Sequence, residues 1–188
     1  MARNTDGDEA LPRELAEVRF SRLYRDHEQE ILRYALRRSA DPQDAADVVA
    51  ETFLVAWRRL GDVPVHDEAR LWLYATARRM LANHQRGIKR RTRLAERLRE
   101  ELRRQLPLQA ATERPVLDAL ATMSDGDREL LMLVAMEELS PSEAARVLGI
   151  STMAARTRLH RARRRLRARL SEQSEKAKRS EIEMGEAR

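Results

Sequence analysis

The chain has 188 residues, enough for one medium domain or two small ones, and its 37 basic and 31 acidic residues give a formal net charge of +6, so we expect an anionic partner. It contains no cysteine, which excludes disulfides, thiolate metal sites and cysteine nucleophiles, and its four histidines show no metal-ligand spacing. No segment has the roughly 18 consecutive apolar residues of a membrane span and no apolar run opens the chain, so we expect a cytoplasmic protein without membrane insertion.

The composition favours an all-α protein, because Ala, Leu, Arg and Glu are abundant while glycine and proline number six each. Residues 1–17 are polar and are predicted to be a flexible N-terminus. A first helix follows and ends near Ser39, since apolar residues recur at intervals of three and four. Its buried stripe consists of Phe20, Leu23, Tyr24, His27, Ile31 and Ala35.

Two further helices are predicted before the chain changes character. Asp41 is the expected N-cap of the second, with Pro42 at its first position and Gly61 as its end. Its apolar face consists of Ala45, Val49, Phe53, Ala56 and Leu60. The third helix is predicted over residues 67–86, with an apolar face of Leu73, Ala77, Met80 and Leu81 and with Trp72 beside it. Helices joined by such short connections predict a three-to-four-helix bundle.

Residues 93–114 are dominated by charge, and we predict that they form a linker to a second small domain over residues 115–170. In that domain Ser124 is expected to cap a helix rich in leucine. A charged segment with almost no apolar residues then follows from Ser171, so residues 171–188 are predicted to be a flexible tail.

The sharpest signal in the second domain is a helix–turn–helix over residues 140–165. Ser140 and Glu143 have the spacing of a capping box, with proline at the first helical position between them. Gly149 is the expected end of this short helix, and Ser151 is the expected cap of a last helix that ends near Leu170.

The last helix carries eight arginines and no acidic residue between Ser151 and Leu170. Such a charge density repels itself unless an anion neutralises it, and the DNA phosphate backbone is the natural partner. Basic runs are often only solvated helix faces. Here the capped short helix and the glycine turn directly before the arginines favour nucleic-acid binding.

A second basic concentration begins in the third helix and continues it, and Trp72 and Tyr74 lie one to two turns earlier. Aromatic faces beside a basic surface suit unstacked single-stranded bases. The spacing alone equally allows Trp72 to be a core residue, so both interpretations stay open. The basic residues are Arg78, Arg79, Arg86, Lys89, Arg90, Arg91 and Arg93.

An acidic patch on the second helix stands out in this basic protein. Asp44, Asp47 and Glu51 lie on one helix face at i, i+3 and i+7, and Asp41 precedes them. Capping and the helix dipole explain Asp41 and Asp44 in part, whereas Asp47 and Glu51 indicate a protein partner. No nucleophile, histidine or phosphate-binding glycine loop accompanies them, so we expect no catalytic residue, metal or cofactor, and no enzyme.

Three segments, in this order, carry a family resemblance. Residues 44–58 read DAADVVAETFLVAWR, residues 72–79 read WLYATARR, and residues 139–145 and 158–163 read LSPSEAA and RLHRAR. They are similar to D-A-E-D-L-V-Q-E-T-F-L-x-A-W, to W-L-Y-x-I-A-R-N and to L-S-Y-x-E-I-A … S-R-L-H-R-A-R. These are motifs of the extracytoplasmic-function (ECF) subfamily of the bacterial sigma-70 family of RNA polymerase sigma factors.

The resemblance implies a sigma factor that binds core RNA polymerase and directs promoter-specific transcription initiation. Its sigma region 2 would span residues 18–92 and its region 4 residues 115–170, two small helical domains joined by the charged linker. The partners implied are the β′ clamp helices and β flap of the polymerase and promoter DNA. Members are usually held inactive by an anti-sigma protein or by their own extensions.

The resemblance also assigns residues to each partner. Polymerase binding falls to the second helix, at Asp44, Asp47, Val48, Glu51 and Phe53. Recognition and melting of the minus-10 element fall to the third helix, at Trp72, Arg79, Asn83, Arg86, Lys89 and Arg90. Reading of the minus-35 element falls to the last helix, at Ser151, Arg156, Thr157, His160 and Arg161.

Three positions depart from the family pattern. Ala50 replaces the usual glutamine of the polymerase-binding helix, and Ala154 stands where threonine is common. Arg79 replaces an asparagine that often captures a flipped base, so analogy does not predict the minus-10 preference. The alternative function is a free-standing helix–turn–helix regulator, which would dimerise and bind an operator without polymerase.

Overall fold

A computed structural model of the chain describes the backbone of residues 12–91 and 119–186, and side chains of residues 12–84, Arg86 and residues 119–175. The described residues form helices and no strand, which confirms the predicted all-α class. The chain divides into two compact units between residues 93 and 94. The predicted linker, residues 93–114, lies outside the described residues, as do residues 1–11.

The first unit consists of three α-helices that all pack on one another. They are α1 (Arg13–Leu36), α2 (Pro42–Arg58) and α3 (Asp67–Arg91), with a short 3-10 turn (Leu60–Asp62) between α2 and α3. The helix α1 begins at Arg13, inside the segment predicted to be a flexible N-terminus. Pro12 precedes it, and an Arg13–Glu17 ion pair of 3.0 Å links its first two turns.

The start of α2 confirms the predicted cap. The Asp41 carboxylate accepts a hydrogen bond from the backbone N–H of Gln43 at 2.9 Å, and Pro42 occupies the first helical position. The predicted apolar face is buried as well. All five of its residues are at most 8% exposed: Ala45, Val49, Phe53, Ala56 and Leu60.

Two tyrosines form the centre of the first unit. Tyr34 and Tyr74 are 0% and 1% exposed, and their ring centroids are 5.2 Å apart. Of the surface and core interpretations left open for the aromatic residues of α3, the core interpretation therefore holds for Tyr74. Tyr74 faces α1, and this contact depends on how the helices pack and cannot be read from the spacing within α3.

The second unit contains α4 (Asp125–Ala135), α5 (Pro141–Leu148) and α6 (Thr152–Glu186), which pack on one another in pairs. Local signals placed the starts of all three helices and the end of α5 correctly. The Ser124 side chain accepts from the Asp127 N–H, and Ser140 and Glu143 form the reciprocal capping box. Gly149 ends α5 in the left-handed conformation, at φ 67° and ψ 35°.

Small residues set the distance between the two helices of the motif. Ala144 and Ala145 on α5, and Ala155 and Ala162 on α6, are at most 1% exposed. Alanine lets helix backbones approach closely, so α5 holds one stripe of α6 against the core. Leu159 lies on the same stripe and is 3% exposed.

Two helices extend beyond their predicted ends. The helix α3 continues to Arg91 instead of Arg86, and α6 continues to Glu186 instead of Leu170. The predictions followed the loss of an apolar period. However, Arg, Lys and Glu are themselves good helix formers, and pairs such as Arg169–Glu172 at 3.4 Å connect successive turns.

Candidate functional site

The helix α6 presents one side to the solvent because its opposite side is fixed in the core. Ala155, Leu159 and Ala162 recur at three and four residues and are buried. Ser151 fixes the start of the helix, since its hydroxyl oxygen accepts from the backbone N–H of Ala154 at 3.1 Å. We call the side facing away from this stripe the reading face, after the role predicted for it; it carries Met153, Arg156, Thr157, His160 and Arg161.

The structure brings the predicted minus-35 residues together on that reading face. Thr157 and His160 lie opposite the buried stripe, with Arg156 and Arg161 on either side of them, and all four are exposed. Ser151 is also exposed, at the start of the helix. Because the face combines hydroxyl, imidazole and guanidinium groups, it can hydrogen-bond both phosphates and base edges.

Two of the arginines share one carboxylate of the protein as their ion-pair partner, which the sequence did not predict. The Asp127 carboxylate on α4 accepts from Arg158 Nε at 3.3 Å and from Arg165 Nη1 at 3.2 Å. Part of the positive charge of α6 is therefore balanced by a carboxylate of the protein itself. A third, Arg169, pairs with Glu172. No local spacing reveals the Asp127 contacts, because its partners lie 31 and 38 residues away.

Gly126 makes room for this ion pair. A Cβ at position 126 would lie 2.5 Å from a terminal nitrogen of Arg158, so the guanidinium packs directly over the glycine. The side chain of Asp127 is only 13% exposed. The contact thus fixes α6 against α4 at the level of the reading face.

One residue of the reading face was missed by the sequence analysis. Met153, the second residue of α6, is 72% exposed and lies in line with Thr157 and His160. A methionine at helical spacing in this helix would ordinarily be assigned to the core. Only the position of the buried stripe shows that it points to the other side.

The acidic face of α2 is formed by Asp44, Asp47 and Glu51, three of the five predicted polymerase-binding residues. Asp47 and Glu51 are exposed and Asp44 is partly exposed, in agreement with a face available to a partner. Val48 and Phe53 are 0% and 3% exposed. Both were assigned to polymerase binding above, and here their side chains form the inner side of the helix and support the exposed face from within.

The inner position of Phe53 is fixed by other aromatic rings. Its ring centroid lies 4.8 Å from that of Tyr24 and 6.4 Å from that of Phe20, and Phe20 also contacts Trp57 at 5.2 Å. The Tyr24 hydroxyl donates to the Glu28 carboxylate at 2.8 Å. This hydrogen bond raises the pKa of Tyr24, and burial and the charge of Glu28 act in the same direction.

Two further residues belong to the acidic face. Leu54 is 46% exposed and stands three and seven residues after Glu51 and Asp47, so it is the apolar member of that face. His84 on α3 lies 3.1 Å from the Glu51 carboxylate through Nε2 and orients it. The spacing of Leu54 was available from the sequence, whereas the His84 contact required the packing of α3 on α2.

The basic side of α3 combines four of the six predicted minus-10 residues. Trp72 is partly exposed and Arg79, Asn83 and Arg86 are exposed, with spacings that align them along the helix. Arg79 donates to the Thr76 hydroxyl at 3.1 Å, and Arg86 donates to the Asn83 side-chain oxygen. The side chains of the other two, Lys89 and Arg90, lie outside the described residues.

Metal and membrane sites can be examined over the same ranges. No group of three or more His, Asp or Glu side chains close enough to hold a metal ion occurs among the described residues. Within residues 12–91 and 119–186, no helix combines the length and apolar character needed to cross a membrane.

Family models match both units of the chain. The model described as Sigma-70 region 2 matches residues 23–92, and the model described as Sigma-70, region 4 matches residues 113–166. The region 2 match covers the unit that contains α2 and α3, and the region 4 match covers the helix–turn–helix.

Individual proteins resemble the chain over most of its length. It is 34% identical over 157 residues to the ECF RNA polymerase sigma factor SigL of Mycobacterium tuberculosis, covering 80% of this chain and 88% of that protein. It is 30% identical over 161 residues to the RNA polymerase sigma factor YlaC of Bacillus subtilis, covering 81% and 92%.

Solved structures also resemble it. CnrH, in complex with the cytosolic domain of CnrY, is 31% identical with a TM-score of 0.57, covering 85% of this chain and 96% of that chain. RpoE of Bartonella quintana, in complex with the anti-sigma factor NepR, has a TM-score of 0.60 over 81% of this chain and 96% of that chain. At 21% identity, the second comparison shows the fold alone.

Proposed function

Because this chain belongs to the ECF subfamily of the sigma-70 family and directs RNA polymerase to promoters, we propose that it does so through three separate surfaces. The acidic face of α2 binds the polymerase β′ clamp helices. The basic side of α3 recognises and melts the minus-10 element, and the reading face of α6 recognises the minus-35 element. The observation that carries the proposal is that Asp47, Glu51 and Leu54 form one exposed face on a helix whose other side is core.

The chemistry of each surface suits its proposed partner. Carboxylates around an exposed leucine combine an apolar contact with charges that select a basic protein surface. The partly exposed Trp72 offers a ring for stacking, and Arg79 and Asn83 beside it offer donors for unpaired bases. On α6, Arg156 and Arg161 can bind guanine or phosphate from either side of the face.

The domain assignments follow the same division. We assign region 2 to residues 18–92 and region 4 to residues 115–170, with the β flap as the polymerase contact of region 4. Sigma factors are initiation factors without catalysis of their own, and we assign none to this chain, which acts where bacterial RNA polymerase is, in the cytoplasm. Since CnrH, which is 31% identical to this chain, forms a complex with the cytosolic domain of CnrY, we infer that an anti-sigma partner controls this chain too. The free-standing regulator is not favoured, because both sigma regions match in order.

Co-elution with core RNA polymerase tests the α2 assignment. The double variant Asp47→Arg with Glu51→Arg is expected to lose co-elution, because four units of charge change on the proposed contact face. The matched control is Glu17→Arg with Asp26→Arg, which makes the same charge change on exposed α1 positions and is expected to bind normally.

A variant that spares the His84 contact separates binding from folding. Leu54→Ser leaves Glu51 and its partner in place and is expected to weaken co-elution while the circular dichroism spectrum is unchanged. Normal co-elution of both the double variant and Leu54→Ser would remove the polymerase from this face.

A further inference from the structure

The reading face of α6 contains one large apolar side chain, Met153, among polar and basic side chains. Met153 is 72% exposed, and an apolar side chain of that size gains nothing from water. Its neighbours along the face are Ser151, Thr157 and His160, which are also exposed. An exposed methionine among polar side chains either contacts an apolar group of a binding partner or remains in water.

The position of Met153 in the motif places it close to bases. It is the second residue of α6, after the Ser151 cap, and residues at the start of the second helix of such motifs contact base edges in the major groove. Residues farther along a recognition helix diverge from the groove floor toward the backbone. Met153 is therefore better placed for base contact than the arginines beyond Arg161.

The surroundings favour DNA over a protein as the partner of this side chain. In the described part of the second unit, only Met136 and Met153 are exposed large apolar residues, and Met136 is the C-cap of α4. A protein partner would require a contiguous apolar patch, which a single methionine among polar and basic side chains does not provide. In the major groove the apolar group available for such a contact is the 5-methyl group of thymine.

We propose that Met153 is a specificity-determining residue that reads a thymine 5-methyl group in the minus-35 element. This inference rests on the proposed function, in which α6 lies in the major groove. The flexible thioether side chain can cover a methyl group without a fixed geometry, so it adds preference for thymine where Arg156 and Arg161 add hydrogen bonds.

The experiment begins by selecting the minus-35 sequence. Holoenzyme assembled from the full chain and core RNA polymerase is used to select duplexes from a pool randomised upstream of the start region. Wild type, Met153→Ala, Met153→Leu and Met136→Ala are compared. We expect Met153→Ala to lose preference for thymine at one position only. Met153→Leu and the matched control Met136→Ala are expected to keep it.

The second step removes only the methyl group from the DNA. Deoxyuridine replaces the selected thymine, and the affinity of the wild-type holoenzyme is expected to fall about three- to fivefold, the effect of one buried methyl group. Met153→Ala should bind the two duplexes equally. Equal wild-type affinity for both duplexes at every selected thymine, or an undiminished deoxyuridine effect in Met153→Ala, overturns the inference.

Failure of the underlying function gives a different result. If the wild-type holoenzyme forms but selects no upstream element, α6 does not read a minus-35 element, and the inference falls with that assignment. If an element is selected that contains no thymine, the assignment of α6 stands and the role of Met153 is refuted.

Discussion

Replacing Asp127 by asparagine should free positive charge on α6 for binding to DNA phosphates. The carboxylate accepts from both Arg158 and Arg165, and the asparagine keeps the shape while removing the charge. We expect the variant to bind random duplex DNA more strongly at low salt, because one or two guanidinium groups become available to phosphates. Each additional phosphate contact steepens the slope of log K against log salt by about 0.9, so the slope should change by about 1–2. Between 50 and 200 mM salt, that change is an additional loss of affinity of about 4- to 16-fold.

The Asp127→Asn substitution should lower the free energy of unfolding only slightly. Hydrogen bonds to charged groups contribute about 1.5–3 kcal/mol, but Arg158 and Arg165 are 40% and 65% exposed, so solvent screening lowers the expected loss to about 1 kcal/mol. Urea unfolding measures this loss, and fluorescence anisotropy over a salt series measures the slope. The matched control is Glu138→Gln, which removes the same charge from an exposed residue of the second unit. The reasoning is refuted if the two variants show the same salt slope.

Four other substitutions test separate parts of the second unit. Arg161→Ala should weaken binding to the selected minus-35 duplex by about 1–3 kcal/mol, and an equal loss on random duplex would mean that Arg161 contacts phosphate only. Glu138 has a φ of 56°, a conformation that glycine adopts without strain, so Glu138→Gly should raise the free energy of unfolding by about 0.5–1 kcal/mol. Gly149 has a φ of 67°, so Gly149→Ala should lower the free energy of unfolding by about 1 kcal/mol. If the Glu138→Gly variant is less stable than the wild type, Glu138 is not in a strained backbone conformation. Ser140→Ala removes half of the capping box and should cost about 1 kcal/mol in the same unfolding assay; no loss would mean that water replaces the cap.

The local signals of the sequence were reliable because they depend on neighbours in the chain. The caps at Asp41, Ser124 and Ser140 and the end of α5 at Gly149 each need only a few adjacent residues, and all are present in the structure. The buried stripe of α2 also follows from its period alone.

Tertiary contacts account for the features that the sequence did not predict. The burial of Tyr74 depends on Tyr34 of α1, and the balance of charge on α6 depends on Asp127 of α4. The family motif named Phe53 as part of the binding helix, but a motif does not separate the residues that touch a partner from those that hold the helix. That separation came from burial, which also identified Leu54 and Met153 as exposed.

Transcription with core RNA polymerase tests the central claim most directly. Purified chain is added to core enzyme from the bacterium that encodes it, with fragmented genomic DNA as template, and the 5′ ends of the transcripts are mapped. We predict initiation at a limited set of positions that share minus-35 and minus-10 sequences, dependent on the chain and lost in the Asp47→Arg, Glu51→Arg variant. Transcripts that do not differ from those of core enzyme alone, together with a dimer of the chain that binds duplex DNA by itself, would contradict the account.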